Sequence, residues 1–450
     1  MAQAYLGVPV RNPPVDRDIL RLAVPALGAL IAEPLFLLTD TAMVGHLGEV
    51  QLAALGIASA IIQTAIGLLI FLAYATTPAV ARRLGAGDRT GAIRAGIDGL
   101  WLALGLGIVV VALGALTSHA VIGILTSDPA IAAETNTYLT ISLAGLPAML
   151  LVIAATGLLR GLQNTRTPLV VAVSGFAANA GLNAVFIYGF GWGIAGSAAG
   201  TVVAQWAMAG AYLVIAVRAA RQSGASLRPG FDGIGSAAAS GGWLFLRTAS
   251  LRAAMLATVA VAATFGTAQL GAFQIALTLF TALALVLDSL AIAGQALIGH
   301  RLGASDTVGV KQITRRLVLW GLGTGAVLGL LLASAATLLG PVFSPSVDVQ
   351  RALTVTVYTM AVGIPLAGFV FVLDGVLIGA GDARYLALTG VVNLACYAPL
   401  LAVVIAAPPT GDLALVWLWA AFGYGYIGAR ALTLGLRART SAWIVPGLAR

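Results

Sequence analysis

Charge is scarce in this chain of 450 residues: 9% are charged, 60% are apolar and the mean hydropathy is +1.00. No soluble globular domain has that balance. The single cysteine, Cys396, excludes an internal disulfide and a thiolate metal cluster. Three histidines, His46, His119 and His300, stand at the ends of different apolar runs without ligand spacing, so no metal site is expected. Long polar segments are missing as well. A membrane-embedded transferase needs a sizeable soluble loop, or a His/Asp or paired-acid constellation at one membrane face, and neither is found. Residues 1–17 are polar and Pro-rich and lack the short apolar core and cleavage site of a signal peptide, so the first helix is expected to be retained.

What is present is apolar sequence in runs of about 20 residues, the length at which a helix crosses a bilayer. Twelve spans are expected, at 18–43, 52–79, 95–117, 135–159, 168–189, 195–217, 238–263, 271–299, 315–338, 352–378, 385–407 and 413–436. With the N-terminus inside and strict alternation, 21 of the 24 basic residues sort to the inner face. Only Arg351 falls outside, and Arg247 and Arg252 fall within a span. Such asymmetry is the positive-inside rule, with both termini cytoplasmic in a cell (inner) membrane. The net charge of +8 is then a topology signal, and no nucleic-acid partner is expected.

The second half repeats the first at a constant shift of 218 residues. Gly48, Gln51, Leu52, Ala54, Ile57 and Ala58 fall on Gly266, Gln269, Leu270, Ala272, Ile275 and Ala276. Arg83-LGA and Asp88 fall on Arg301-LGA and Asp306, and Pro147, Gly157, Gly161 and Arg166 fall on Pro365, Gly375, Gly379 and Arg384. A fixed offset over so many positions marks a duplication. Six spans per copy put both copies in the same orientation, related by a pseudo-twofold axis along the membrane normal, with a site between them near the midplane. The expected organisation is an N-terminal tail (1–17), a six-helix lobe (18–217), a cytoplasmic linker (218–237), a second lobe (238–436) and a C-terminal tail (437–450).

The copies part company in their charges. Asp40 lies in the first span with no basic residue nearer in sequence than Arg21 and Arg82, and Glu33 stands seven residues earlier on the same helical face. A charge at bilayer depth is paired, protonated or functional. A carboxyl that gains and loses a proton inside a membrane is what a proton-coupled transporter needs. Asp40 falls on Thr258, so the acid is absent from the second half, which carries Arg247, Arg252, Asp288 and Asp374 instead. Those four are expected to neutralise one another as a structural ion network. Pro34, between Glu33 and Asp40, is the candidate hinge.

Pro34-LFLLTDTAMVGHLG, Ala81-RRLGAGD with its echo Gly299-HRLGASD, and Gly157-LLRGLQNTRTP resemble the multidrug and toxic compound extrusion (MATE) family. Asn179-AGLNAVFIYGFGWGIAGSAAGT and Leu244-FLRTASLR resemble its DNA-damage-inducible F-type (DinF) branch. The resemblance covers about Asp16 to Arg437. It implies an all-α integral membrane protein of twelve helices in two six-helix lobes. It further implies an antiporter that expels small organic, often cationic, compounds in exchange for H⁺ or Na⁺; a monomer without other cofactors is expected. The family's first-helix aspartate matches Asp40, and its fifth-helix polar positions match Asn179 and Asn183. Archaeal relatives carry an acid at the second of these, so Asn183 departs from a two-carboxylate site and H⁺ is favoured over Na⁺.

Tyr138 and Thr156 are candidate cavity residues, and Arg247 and Arg252 are alternative contacts for an anionic group on a substrate or lipid. A lipid-linked glycan flippase of the wider superfamily is the main rival, and it calls for several cations in the central cavity. Gly191, Gly193 and Gly196 fit a dinucleotide-binding spacing, but no strand precedes them. Gly321, Gly325 and Gly329, four apart, read as close helix packing.

Overall fold

The computed structural model describes residues 15–406 and 411–448, which leaves most of the expected N-terminal tail, with Arg11, and also Arg450 outside the described residues. Among the described residues the regular structure is helical throughout. The first half contains α1 (Val15–Gly45), α2 (Glu49–Leu69), α3 (Phe71–Gly85), α4 (Arg89–Leu125), α5 (Pro129–Leu143), α6 (Leu146–Gly161), α7 (Arg166–Ala184) and α8 (Gly193–Ser223). The second half contains α9 (Phe231–Ala262), α10 (Thr267–Gly303), α11 (Thr307–Phe343), α12 (Val347–Gly379), α13 (Ala383–Ala406), α14 (Leu413–Ala420) and α15 (Ile427–Arg439). A π turn, Val185–Gly189, extends α7, and another, Ala421–Tyr426, joins α14 to α15.

Among the described residues a helix or helix pair underlies each of the twelve expected spans. Ten are long and apolar enough to cross a bilayer, with α2 and α3 forming one of them; α5 and α6, bent by 49°, form another, and α14 with α15 the last. The helices overrun the apolar stretches, because hydropathy marks the hydrocarbon layer and not the helix end. Thus α8 runs to Ser223, carrying Arg218 and Arg221, and the linker shrinks from the expected 218–237 to the seven residues between Ser223 and Phe231.

The repeated residues are the joints of each lobe. Asp88 and Asp306 cap α4 and α11, accepting from Gly91 N at 2.7 Å and Gly309 N at 2.8 Å. A Cβ on Gly157 would stand 3.0 Å from the Ala73 carbonyl oxygen, and one on Gly375 would stand 2.5 Å from that of Ala291. Gly161 and Gly379 likewise lie on the carbonyls of Thr77 and Gln295, each at 2.7 Å. Lipid offers no hydrophobic drive between helices, so close approach through small residues supplies the attraction. The glycine row of α11 does the same: a Cβ on Gly321 would stand 2.6 Å from Gly368 O, and one on Gly325 would stand 2.8 Å from Ile364 O, both in α12.

The lobes meet at the end that carries the repeated Arg-Leu-Gly-Ala segments. There Gly85 of α3 lies on the His300 carbonyl of α10 and Gly303 lies on the Arg82 carbonyl, a reciprocal contact of twofold symmetry. Arg82 also donates to Ala380 O at 2.9 Å and Gly447 O at 3.3 Å, while Gly447 N donates to Leu302 O at 2.8 Å. Asp16 accepts from Trp320 Nε1 at 2.9 Å, tying α1 to α11. This basic end is closed.

Neither glycine at the crossing tolerates a side chain without moving the lobes apart. Gly85→Ala and Gly303→Ala should each weaken the closed basic end by about 1–3 kcal/mol, the usual range for overpacking. Spin labels on α3 and α10 beside the crossing should report a larger population with separated lobes. Unchanged distance distributions in both variants would show that this crossing does not hold the lobes together.

Candidate functional site

Asp40 is 4% exposed and projects from α1 between α5, α7 and α8. Asn183 Nδ2 donates to Oδ1 at 2.8 Å, Ser197 Oγ donates to the same oxygen at 2.6 Å, and Tyr138 OH approaches Oδ2 at 3.5 Å. The amide continues the chain: Asn183 Nδ2 also reaches Asn179 Oδ1 at 3.2 Å, and Asn179 Nδ2 donates to Thr201 Oγ1 at 3.0 Å. Asn183 Oδ1 itself has no hydrogen-bond partner. It lies against Gly200 of α8, where a Cβ would collide with it. Glycine there is what lets α7 and α8 close on the carboxyl. Just beyond Asn183 the π turn widens the helix, and Tyr188 OH donates to Met43 O at 2.8 Å, fastening this segment to α1.

The site opens into a partly enclosed cavity within the first lobe. Glu33 and Asp40 share its wall with Tyr138 and Asn179, as their spacing on α1 predicts, and the Gln63 side chain reaches Glu33. Phe36 and Phe176 stack with centroids 5.0 Å apart, and Met149 and Met208 complete an apolar, adaptable lining. Pro34 lies inside α1 between the two acids. Having no N–H, it leaves the Leu30 carbonyl without its helical donor.

The equivalent place in the second lobe is filled. At the 218-residue offset Asp40 becomes Thr258, Asn179 becomes Tyr397, Ser197 becomes Leu415 and Thr201 becomes Trp419. Thr258 and Tyr397 share a 2.7 Å hydrogen bond, and Tyr397 stands in an aromatic cluster with Trp419, Phe422, Tyr426, Phe273 and Phe280. Large rings occupy what is open space in the first lobe.

The expected ion network is only half right. Asp374 receives Arg247 in close contact and also Arg430 Nη2 at 2.8 Å. Asp288 lies within electrostatic reach of Arg160 and Arg247, near Tyr74. Arg160, just beyond the expected span 135–159, and Arg430, near the end of 413–436, count in sequence among the basic residues of the inner face; long side chains let them turn back into the protein. Arg252 belongs to no ion pair among the described residues and stands apart from the network. Thr156 is not among the cavity residues either. It donates to Tyr212 OH at 3.4 Å, the first-lobe counterpart of the Asp374–Arg430 pair. Ser197 and Thr201, central to the site, were not singled out from sequence. They sit among small residues of α8 that read as helix packing.

The MatE family model matches residues 25–185 and again residues 245–406, once in each lobe. Protein DETOXIFICATION 44, chloroplastic, of Arabidopsis thaliana is 29% identical over 90% of this chain and 79% of its own length. DNA damage-inducible protein F of Escherichia coli is 28% identical over 65% of this chain and 64% of its own length. Among solved structures, an aspartate-to-asparagine variant of the Vibrio cholerae MATE transporter VcmN superposes with a TM-score of 0.84 at 20% identity, covering 96% of this chain and 98% of that one. With the duplicated six-helix lobes, the match in both halves establishes that this chain belongs to the MatE family of membrane transporters and is not an enzyme.

Proposed function

We propose that the protein exports amphipathic organic cations in exchange for protons, and that Asp40 couples the two fluxes. The observation that carries this reading is a buried carboxyl held by hydrogen-bond donors, with no cation beside it, in the wall of an apolar cavity. On this reading the basic end faces the cytoplasm of a cell with an inner membrane, and the closed crossing of α3 and α10 makes the present state outward-facing.

Ionised Asp40 only accepts hydrogen bonds, whereas protonated Asp40 must also donate one. Asn183 Oδ1 is the acceptor without a partner. Rotating the Asn183 amide brings that oxygen to the new O–H. It then faces Asn179, whose amide must turn in its own right, so the Thr201 hydroxyl changes from acceptor to donor. One proton thus reverses a three-link chain joining α1, α7 and α8. It also removes the charge that holds a cation, an interaction of about 4 kcal/mol at 4 Å for an effective dielectric constant of 20. Substrate leaves as the proton arrives, and α1, weakened at Pro34, is free to bend.

Donors in the Asp40 shell favour H⁺ over Na⁺, which requires several converging oxygen acceptors. A glycan flippase receives no support from a cavity lined by two acids and no cation. Proteoliposomes loaded with a fluorescent organic cation, under pH and Na⁺ gradients imposed separately, test the proposal. Efflux should follow the pH gradient alone and fall by at least about tenfold in Asp40→Asn, equivalent to 1.4 kcal/mol. Asn183→Leu should bind substrate but respond less to pH. Undiminished proton-driven efflux in Asp40→Asn, or efflux driven by Na⁺ alone, would refute it.

A further inference from the structure

Arg252 is the cation that nothing above accounts for. It is exposed, ten residues before the end of α9, and makes no ion pair among the described residues. Its guanidinium lies on Gly67 of the opposite lobe: a Cβ there would stand 2.7 Å from Nη2 and 3.6 Å from Nε. Gly67 is the midpoint of the 37-residue span Glu49–Gly85, eighteen residues from either end or about 27 Å of helix. The guanidinium is therefore held at mid-membrane depth and not drawn out to an interface. An unpaired charge at that depth is a functional group by default. Gly67 follows Ile66 and stands one turn beyond Gln63, both of which line the cavity containing Glu33 and Asp40. The cleft thus presents a cation at the rim of an acidic cavity.

We propose that Arg252 receives an anionic group, such as a carboxylate or sulfonate, of an amphoteric substrate whose cationic end enters the first-lobe cavity. The preferred substrates are then zwitterionic amphiphiles, a refinement that rests on the export reading above. Guanidinium is suited to this role, since its planar fork matches a carboxylate and is less strongly hydrated than an ammonium. The anion belongs to a solute in the cleft. Phospholipid head groups lie about 15 Å away, at the edge of the hydrocarbon layer. The competing structural role is a contact with the carbonyl end of α2, which terminates at Leu69.

A matched pair of dyes separates these roles: a rhodamine with a free carboxylate, and the ethyl ester of the same dye. Binding is measured by fluorescence anisotropy in nanodiscs of neutral lipid, with a second set containing anionic lipid, and transport is measured in proteoliposomes. Wild type should bind the carboxylate form roughly tenfold more tightly than the ester, the worth of one charge-assisted hydrogen bond. Arg252→Gln should abolish that preference while binding the ester as wild type does, and Arg252→Lys should keep part of it. Equal binding of the two dyes by wild type, absence of binding included, overturns the proposal. So does an equal loss of both dyes in Arg252→Gln, the signature of a structural contact, or a preference present only with anionic lipid. Carboxylate preference in binding without proton-driven transport would defeat the export reading and leave this one standing.

Discussion

A carboxyl buried in a membrane protein without a cation beside it must be satisfied by dipoles, and much of the first lobe is arranged to supply them. Asp40 accepts from Asn183 and Ser197 at ordinary hydrogen-bond distances and from Tyr138 at the limit of one. These groups come from α7, α8 and α5, so one side chain on α1 fixes how three other helices approach. The absence of a side chain at Gly200 and the widened turn after Asn183 serve that approach. Because the donors are amides and hydroxyls, all able to reverse their direction, the shell can follow a proton without unfolding. An arginine in their place would lock the carboxylate in its charged form.

The duplicated chain uses its second copy differently. Where the first lobe has Asp40, Asn179, Ser197 and Thr201, the second has Thr258, Tyr397, Leu415 and Trp419, and the rings pack against one another. Where the first has the neutral pair Thr156 and Tyr212, the second has Asp374 bound by Arg247 and Arg430. Removing one partner of a buried ion pair is strongly destabilising, so Arg247 and Arg430 tie α9 and α15 to α12 through Asp374. The lobes are thus matched in fold and in the glycine joints, and opposed in chemistry. On the proposed mechanism the first titrates, while the second keeps its acid paired.

Much of this was legible in the chain itself. Apolar length gave the spans, and the constant offset gave the joints, since Gly85 and Gly303 or Gly157 and Gly375 do the same work in each copy. Asp40 stood out because a charge is conspicuous against apolar sequence, whereas Asn179 and Asn183 were reached through the family resemblance. Ser197 and Thr201 did not stand out, since hydroxyls on a helix rich in glycine and alanine have the same signature as helix packing. That Arg160 and Arg430 reach Asp288 and Asp374 was not legible, because hydropathy records where a residue begins and not where a long side chain ends. Arg252 was paired on charge balance alone, which ignores that its helix turns it toward the other lobe.

The central claim is that proton and substrate compete for one carboxyl, and the most direct measurement is of protons released on binding. Purified protein in weak buffer with a pH-sensitive dye is mixed with a saturating organic cation of fixed charge, in the pH range where Asp40 is protonated in the empty site. Linkage requires that a ligand favouring ionised Asp40 expel its proton. The account predicts release of close to one proton per substrate bound, and none from Asp40→Asn binding the same ligand. Substrate binding without proton release by wild type, or equal release by Asp40→Asn, would contradict it.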